Sequence, residues 1–423
     1  MAGGELVGDD VEVAGGAIDS RALVPGQLFV PVVGERDGHD FIEAALDAGA
    51  AAYLTTGRRP GGTAVVVEDT TEALQLVGRA VGDRLGAQVV GITGSVGKTT
   101  VKDMAAAAAR PCFVTGAAYR SHNNELGVPL TLLNAPADAA LVITEMGARG
   151  HGHIAQLAAI ARPTIGVVTN VRHAHTELLG DLDDVARAKG ELVEHLPASG
   201  TAVLAAHDER VTAMASLTDA QVVTFGEGGD VRAEDVRLDD RLHARFTVVS
   251  PWGRAPVGLG VPGRHQVDNA LAAVTAVVAA GGALDDVAAG LGDAVLSPWR
   301  MELERTAQGA LVLNDAYNAN PASMAAALAA LAELDAERRF AVVGVMAELG
   351  EHSPALHREV VEAAERLGVV LVVVGTDEYG VAPVDDLDAA EAALGPLGEG
   401  DAVLVKGSRV AGLERLAERL VGR

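Results

Sequence analysis

Short apolar runs alternate with longer amphipathic stretches along most of the chain. The run QVVGIT at 88–93 predicts a buried strand, and HIAQLAAIA at 153–161 has the apolar spacing of a helix. Further apolar runs of strand length stand at 140–144, 164–170 and 201–206. Strands without polar alternation are typical of parallel sheets that helices cover on both faces. The pattern therefore predicts an α/β protein with a mostly parallel central sheet.

The two ends of the chain repeat this alternation separately. The segment FIEAALDAGA at 41–50 predicts a helix among short strands, and helical spacing at 70–85 leads to the central strands. A fresh strand–helix series begins near residue 297 and indicates a Rossmann-like unit. Polar alternation at 221–262 predicts an antiparallel extension of the central unit. We predict three α/β domains, at 1–85, 86–296 and 297–423.

Composition and charge narrow the classes of partner. Of 423 residues, 58 are acidic and 33 are Lys or Arg, and the net charge of −25 disfavours nucleic acid and anionic membranes. Because Cys112 is the only cysteine, an intramolecular disulfide and a cysteine-clustered zinc site are excluded. The chain shows no apolar signal region and no run of the roughly 18 apolar residues that a membrane span needs. We expect a soluble, cytoplasmic monomer.

The sharpest chemical signal follows the strand at 88–93, where TGSVGKTT leads into a helical run. Glycines let backbone N–H groups point at a phosphate, Lys98 can reach the β- and γ-phosphates, and the Thr99 hydroxyl can bind Mg²⁺. The spacing departs from the general P-loop pattern, because Ile92 stands where that pattern has its first glycine. The alternative is a glycine-rich turn without a ligand. The predicted contacts to ATP from this loop are Gly94, Ser95, Gly97, Lys98, Thr99 and Thr100.

Two further strand ends carry side chains that suit a metal. Glu145 follows the strand at 140–144, and His175 follows the strand at 164–170. Ligands of parallel sheets bind outside the carboxyl ends of the strands, so both residues should lie beside the phosphate loop. Carboxylates suit the hard cation Mg²⁺ better than imidazoles do. We predict a magnesium site with Glu145 and His175, against the alternative that Glu145 is a solvated strand end.

Other motifs follow one another in a recognisable order. DSR-x(4)-G-x-LF begins at Asp19, and NN-x-x-G-x-PLTLL begins at Asn123. EMGA, AKGE, PGRHQVDNA, WR, DAYNANP, MAELG and KGS stand further along the chain. With the phosphate loop, these motifs resemble the Mur ligase family over nearly the whole chain. DAYNANPASM and NNELGVPLTLL resemble, within that family, the ligases that act on D-alanyl-D-alanine.

The resemblance implies an ATP-dependent amide ligase of peptidoglycan precursor synthesis. Its substrates would be UDP-N-acetylmuramoyl-tripeptide, bound by the N-terminal domain, and D-alanyl-D-alanine, joined through an acyl phosphate by the C-terminal ligase domain. A carboxylate and an amine form only a salt at neutral pH, so ATP must activate the carboxylate first. Phosphoryl transfer of this kind depends mainly on positioning and charge neutralisation.

The resemblance also assigns roles to residues. Lys189, which composition alone would place on a solvated helix face, would be carbamylated and would bind a second Mg²⁺, because a bare lysine repels a metal. The implied catalytic residues are Lys98, His175, Lys189 and Asn318, and the implied metal ligands are Thr99, Glu145, His175 and Lys189. Further ATP contacts would be Asn269, Arg300, Asp315 and Tyr317. Substrate contacts would be Ser20, Arg21, Asn123 and Asn124 for the UDP-sugar, and Asn318 and Asn320 for the dipeptide.

Some positions depart from the family's usual pattern. Asn314 and Val345 stand where the family often has aspartates. The segment HAHTELLGD at 173–181 lacks the sequence motif that is usual there. A paralogue that joins a different acid and amine in specialised metabolism therefore stays an alternative. A nucleotide-binding regulatory or scaffolding protein without turnover is a second. Lys406 and Ser408 are open to a plain interpretation as the end of a strand.

Overall fold

The computed structural model describes residues 3–173 and 179–423. The N-terminal region contains β1 (Glu5–Val7), β2 (Gly16–Ala17), β3 (Leu28–Phe29), β4 (Ala52–Thr55), β5 (Ala64–Val66), α1 (Ile42–Asp47) and α2 (Thr70–Leu85). Its sheet has the order β1-β5-β4-β3-β2, in which β1 pairs antiparallel with β5 and the other pairs are parallel. Helix α2 begins after Asp69, whose carboxylate accepts hydrogen bonds from the Thr71 and Glu72 N–H groups.

The central region contains a six-stranded parallel sheet. Its strands are β6 (Gln88–Thr93), β7 (Thr115–Ala117), β8 (Leu141–Glu145), β9 (Ile165–Val168), β10 (Thr201–Ala205) and β11 (Gln221–Phe225). They lie in the order β11-β10-β9-β6-β8-β7. The helices of this region are α3 (Lys98–Ala109), α4 (Gly127–Leu133), α5 (His153–Ala161), α6 (Leu182–Glu194), α7 (Glu209–Ala213), α8 (Gln266–Ala279) and α9 (Leu284–Gly290).

An antiparallel sheet follows the parallel one, as β12 (Arg232–Leu238), β13 (His243–Ser250) and β14 (Gly253–Pro262). The predicted antiparallel extension is correct for these three strands and wrong for 221–225. Strand β11 pairs in parallel with β10 at the edge of the central sheet. An edge strand exposes part of its surface, so its polar alternation looks like that of an antiparallel strand.

The C-terminal region contains a five-stranded sheet of its own. Its elements are β15 (Glu302–Arg305), β16 (Leu311–Asn314), β17 (Arg338–Val343), β18 (Val370–Val373), β19 (Asp401–Lys406), α10 (Pro321–Glu333), α11 (Ser353–Arg366), α12 (Leu387–Leu394) and α13 (Glu414–Leu420). The order is β15-β16-β19-β17-β18, and only β15 runs antiparallel to its neighbour. Helices cover both faces, because Leu404 of β19 packs in one apolar cluster and Val403 in another.

The predicted three-domain α/β fold is confirmed. The boundaries near residues 85 and 297 stay predictions, although each predicted region contains a separate sheet. Among the described residues, no helix is both long enough and apolar enough to cross a membrane.

The topology places three strand ends side by side. Strand β6 lies between β9 and β8 in the central sheet, and all three run in the same direction. Glu145 is the last residue of β8, and Thr169 follows β9 directly. The segments that follow these strands therefore meet at the edge of the sheet where ligands bind in such folds.

Candidate functional site

The loop between β6 and α3 needs glycine at two positions. Gly94 has a φ of +145°, and a side chain there would collide with Thr169 Oγ1. Gly97 has a φ of +87°, and a Cβ atom there would lie 2.5 Å from Asn269 Oδ1. Both glycines thus allow a left-handed backbone and a close approach that other residues would prevent.

The segment after β9 supports this loop from the side. The Val96 N–H donates to Asn170 Oδ1 (2.9 Å), and Thr169 Oγ1 donates to the Val96 carbonyl (2.6 Å). Ser95 Oγ donates to the Arg172 carbonyl (2.9 Å). Sequence reasoning missed these supporting residues, although Thr169 and Asn170 could have been found, because they follow a parallel strand next to β6.

Lys98 begins α3 and turns its ammonium group back over the loop. Its Nζ donates to the Gly94 carbonyl (2.7 Å) and to the Ser95 carbonyl (3.4 Å). Burial lowers the pKa of the Lys98 ammonium, and the charge of Arg300 lowers it further, while the nearby Glu145 carboxylate raises it. Lys98 is thus a cation held at the centre of the loop, where an anionic ligand would be favoured.

Thr99, Glu145 and Asn123 form a hydrogen-bonded cluster beside Lys98. Thr99 Oγ1 donates to Glu145 Oε2 (2.7 Å), and Asn123 Nδ2 donates to Glu145 Oε1 (2.8 Å). The Glu145 residue is only 1% exposed, so both carboxylate oxygens depend on these donors. A buried carboxylate beside a hydroxyl supplies the oxygen ligands that Mg²⁺ prefers.

Arg300 reaches the same cluster from the C-terminal region. Its guanidinium donates to Thr99 Oγ1 (2.9 Å) and to Ser121 Oγ (3.2 Å), and it lies 4.1 Å from the centre of the Tyr317 ring. Sequence reasoning had no signal for Ser121, which lies in an irregular segment between β7 and α4. The hydrogen bond to Thr99 connects Arg300 of the C-terminal region to the helix start that follows the phosphate loop.

Lys406 is more than the end of a strand. It is 1% exposed, and its ammonium donates to Asp315 Oδ2 (2.5 Å) and to the Asn318 carbonyl (2.9 Å). Asp315 Oδ1 in turn accepts from the Met301 N–H (3.2 Å). Lys406 thereby holds the segment with Asp315 and Asn318 against the edge of the C-terminal sheet.

These groups surround one cavity of about 380 Å³. Most of the residues predicted from the sequence line it: Ser95, Gly97, Lys98, Thr99, Thr100, Asn123, Asn124, Glu145, Asn269, Arg300, Asp315, Tyr317, Asn318 and Asn320. Ser121, Gln266 and Lys406 also line it. The cavity is thus walled by both the central and the C-terminal regions.

Several asparagines of the cavity wall also have local structural partners. Asn124 Oδ1 accepts from the Gly127 N–H (2.9 Å) at the start of α4, and Asn320 Oδ1 accepts from the Ser323 N–H (2.9 Å) at the start of α10. Asn269 Nδ2 donates to Gln266 Oε1 (2.7 Å). Their side chains are therefore already oriented where they face the cavity.

Other predicted site residues do not line this cavity. Gly94 shapes the loop from behind, and Lys189 lies in α6, only 2% exposed. Burial lowers the pKa of the Lys189 ammonium well below its ordinary value, and the charge of Lys98 lowers it further. Ser20 precedes Arg21, whose side chain is 88% exposed and pairs with Asp19 (2.6 Å). The Arg21 guanidinium holds the pKa of the Asp19 carboxyl at about 2.

The predicted metal ligand His175 lies outside the described residues. Within 3–173 and 179–423, no three His, Cys, Asp or Glu side chains come together as a metal-binding group. Beside the phosphate loop, the oxygens available to a magnesium ion from the described residues would be those of Glu145 and the Thr99 hydroxyl, together with oxygens of a bound ligand.

Comparisons with known protein families match most of the chain. The family model for the Mur ligase middle domain matches residues 92–277. The model for the Mur ligase, glutamate ligase domain, matches residues 299–409. The first match covers the phosphate loop and Glu145, and the second covers Arg300, Asp315 and Lys406.

Individual relatives are similar over almost their full length. The UDP-N-acetylmuramoyl-tripeptide--D-alanyl-D-alanine ligase of Mycobacterium tuberculosis (strain ATCC 25618 / H37Rv) is 42% identical over an alignment of 465 positions, gaps included, that covers 95% of this chain and 91% of the relative. A crystal structure of MurF from Acinetobacter baumannii has a TM-score of 0.89 at 29% identity, covering 99% and 96% of the two chains. MurF from Thermotoga maritima in complex with ADP has a TM-score of 0.84 at 28% identity, covering 97% and 98%.

Proposed function

The chain belongs to the Mur ligase family, and we propose that it uses ATP to join D-alanyl-D-alanine to UDP-N-acetylmuramoyl-tripeptide in peptidoglycan precursor synthesis. The name of the M. tuberculosis relative states this activity. Its match covers more than nine tenths of this chain and of the relative. The ADP complex of the MurF from T. maritima supports ATP as the energy source. A paralogue with other substrates is not favoured by these relatives.

One observation carries the proposal: a single cavity joins a phosphate loop to the C-terminal region. Lys98 and Thr99 line the cavity from the central region, and Arg300 and Asp315 line it from the C-terminal region. A ligase must bring a nucleotide, an acid and an amine together, and a cavity between regions is suited to that task.

The chemistry that this cavity favours is phosphoryl transfer to a carboxylate. The γ-phosphoryl group of ATP passes to the terminal carboxylate of the tripeptide and leaves ADP. The amine of D-alanyl-D-alanine then attacks the acyl carbon, and phosphate leaves as the amide bond forms. Lys98 and Arg300 would bind the phosphate oxygens and stabilise the charge that develops on them.

The described residues fit Mg²⁺ near Thr99 and Glu145. Their oxygens lie 2.7 Å apart beside the phosphate loop, and Glu145 accepts hydrogen bonds from the neutral Thr99 hydroxyl and Asn123 amide. When bound, Mg²⁺ would neutralise charge on the β- and γ-phosphates. Thr99 and Glu145 would hold it, with His175 as a further proposed ligand.

Lys189 is proposed to be carbamylated and to serve a second Mg²⁺. The chain has four lysines, and three of them donate hydrogen bonds: Lys98, Lys102 and Lys406. Lys189 is 2% exposed, and burial lowers the pKa of its ammonium well below the ordinary value, with a further lowering by the charge of Lys98. A buried ammonium beside another ammonium is costly, and a carbamate would turn Lys189 into an anion beside Lys98.

The remaining predicted contacts belong to the acid and the amine. Asn123 and Asn124 would meet the UDP-linked acid where they face the cavity, and Asn318 and Asn320 would meet the dipeptide. Ser20 and Arg21 are proposed to bind the UDP-sugar from the N-terminal region. A cytoplasmic location and a monomeric state stay predictions.

The direct test is phosphate release by the purified protein with ATP, Mg²⁺, UDP-N-acetylmuramoyl-tripeptide and D-alanyl-D-alanine. We expect release only when both substrates are present, and a product whose mass equals their sum less one water. Lys98→Ala should abolish release. Phosphate release in the absence of both substrates would contradict the proposal. So would activity with other acids and amines but none with the two named substrates.

A further inference from the structure

The backbone on both sides of Arg300 has an uncommon conformation. Trp299 has a φ of 61° and Met301 a φ of 53°, although neither is glycine. Residues with a side chain adopt such left-handed angles rarely, and they keep them only where the surroundings impose them. Two such residues flanking one arginine give the segment 297–302, the Arg300 arch, a defined shape that aims the arginine.

Three carboxylates impose that shape by accepting backbone N–H groups of the arch. Asp103 Oδ2 accepts from the Ser297 N–H (2.7 Å), and Glu302 Oε1 accepts from the Trp299 N–H (2.9 Å). Asp315 Oδ1 accepts from the Met301 N–H. Charged acceptors form stronger hydrogen bonds than neutral ones, so the arch is held firmly at three points.

The aimed side chain has a buried donor without a partner among the described residues. Arg300 donates to Thr99 Oγ1 and Ser121 Oγ. Its Nε atom is buried and has no hydrogen-bond partner among the described residues. A buried N–H without a partner is costly, and a phosphate oxygen in the cavity would satisfy it.

Glu302 holds the arch from outside the catalytic cavity. It does not line the cavity of Lys98 and Thr99, and instead faces a separate cavity of about 320 Å³ with Trp299 and Asn314. Its second oxygen, Oε2, accepts from Asn314 Nδ2 (3.0 Å). Glu302 therefore contacts the arch and not the cavity that Lys98 and Thr99 line.

The side chain of Asn314 is an amide that supports Glu302. It is 5% exposed, and its side-chain amide gives Glu302 a donor. An aspartate there would put a second carboxylate against Glu302, which is unfavourable for two like charges. The sequence departure at Asn314 is thus matched to the carboxylate of Glu302.

We propose that Glu302, supported by Asn314, is a positioning residue that holds Trp299 in its left-handed conformation and so presents Arg300 to the nucleotide phosphates. This inference rests on the proposed use of ATP. Both residues line a separate cavity and not the one that contains Lys98 and Thr99.

A double-mutant cycle tests this role in the full-length protein with ATP, Mg²⁺ and both substrates. Glu302→Ala should lower kcat/KM for ATP by about 100-fold, the effect of a misplaced group. Arg300→Ala should lower it by about 1000-fold. The double variant should be no worse than Arg300→Ala alone, because Glu302 acts through that side chain. KM for the UDP-linked acid should not change in Glu302→Ala.

Matched variants separate positioning from stability. Glu302→Gln keeps an oxygen for the Trp299 N–H and should lose less than about tenfold, whereas Asn314→Asp should reproduce most of the Glu302→Ala loss. Glu304→Ala is the control, because Glu304 lies in the same strand as Glu302 but its carboxylate pairs with Arg423. This variant should behave as the unmodified protein. If Glu302→Ala does not fold, Asn314→Asp takes its place in the cycle.

Two results would overturn the inference. Losses that multiply in the double variant would show that Glu302 acts independently of Arg300. An Arg300→Ala variant with normal kcat/KM for ATP would remove the role of Arg300 and with it that of Glu302. Product formation by the unmodified protein would leave the ligase function intact in either case.

Discussion

Thr99 Oγ1 donates a hydrogen bond of 2.7 Å to Glu145 Oε2, although 46 positions of the chain separate them. The first residue stands at the start of the helix after β6, and the second ends the neighbouring strand β8. Parallel pairing of β6 with β8 brings them together at the edge of the sheet. The hydroxyl and the carboxylate thereby become one candidate metal site.

Replacing the Glu145 carboxylate with an amide should weaken Mg²⁺ binding and leave the protein folded. We expect Glu145→Gln to lower kcat by about 100-fold or more and to raise the Mg²⁺ concentration required for half-maximal rate, because an amide carries no charge for the cation. Titration of Mg²⁺ against phosphate release measures both. Glu125→Gln, which changes a partly exposed carboxylate paired with Arg149, is the control. An unchanged Mg²⁺ requirement in Glu145→Gln would contradict the assignment.

The phosphate loop should not tolerate a methyl group at Gly97. Gly97→Ala would place Cβ 2.5 Å from Asn269 Oδ1, in addition to the cost of a left-handed backbone of about 1–2 kcal/mol. We expect a large rise in KM for ATP or no detectable turnover. Gly86→Ala is the matched control, since Gly86 has a φ of +62° but no atom within 4 Å of the added Cβ. Equal effects of the two variants on KM for ATP would refute the proposed role of the loop.

Carbamylation of Lys189 can be observed directly. With ¹³C-labelled bicarbonate, we expect one carbamate signal in the NMR spectrum of the protein, and its loss in Lys189→Met. Because the chain has only four lysines, the assignment is simple. Lys189→Glu, which keeps a carboxylate at the helix, should retain more activity than Lys189→Met. Lys102 is buried but paired with Asp103 at 2.5 Å, so Lys102→Met should keep the signal.

His357 should make the folded protein less stable in mild acid. Its Nε2 accepts from the Met346 N–H (2.9 Å), its Nδ1–H donates to the Ser353 carbonyl (2.8 Å), and its ring packs perpendicular to that of Tyr379. Burial lowers the pKa of His357, although the charge of Glu378 acts against this. Its contribution to stability is complete above the unfolded pKa of about 6.5 and is lost as the pH falls toward the lower folded pKa.

Urea unfolding at about pH 7.5 and about pH 5.5 measures this linkage. The unmodified protein should lose up to about 1.4 kcal/mol per pH unit from this group, and His357→Gln should lose correspondingly less over the same interval. His151→Gln changes a half-exposed histidine and should leave the slope unaltered. A slope that does not depend on residue 357 would refute the prediction.

Local pattern was sufficient for much of the secondary structure. Helical spacing predicted 70–85, and α2 spans Thr70–Leu85. The apolar run at 88–93 is strand β6, and the run at 153–161 is helix α5. The prediction for 221–225 was wrong because an edge strand of a parallel sheet and an antiparallel strand share the same alternation. Pairing direction is a tertiary property, and one strand by itself does not contain it.

The chain's sequence alone determined the phosphate loop, the three α/β regions and the net charge of −25, from which we predict no nucleic-acid partner. Those features depend on residue type, short spacing and total charge. Only the tertiary structure decided that Arg300 reaches Thr99 across 201 positions, that Lys406 pairs with Asp315, and that Glu302 faces Asn314. These contacts depend on strand order and on how the C-terminal region packs against the central sheet, which short-range pattern does not encode.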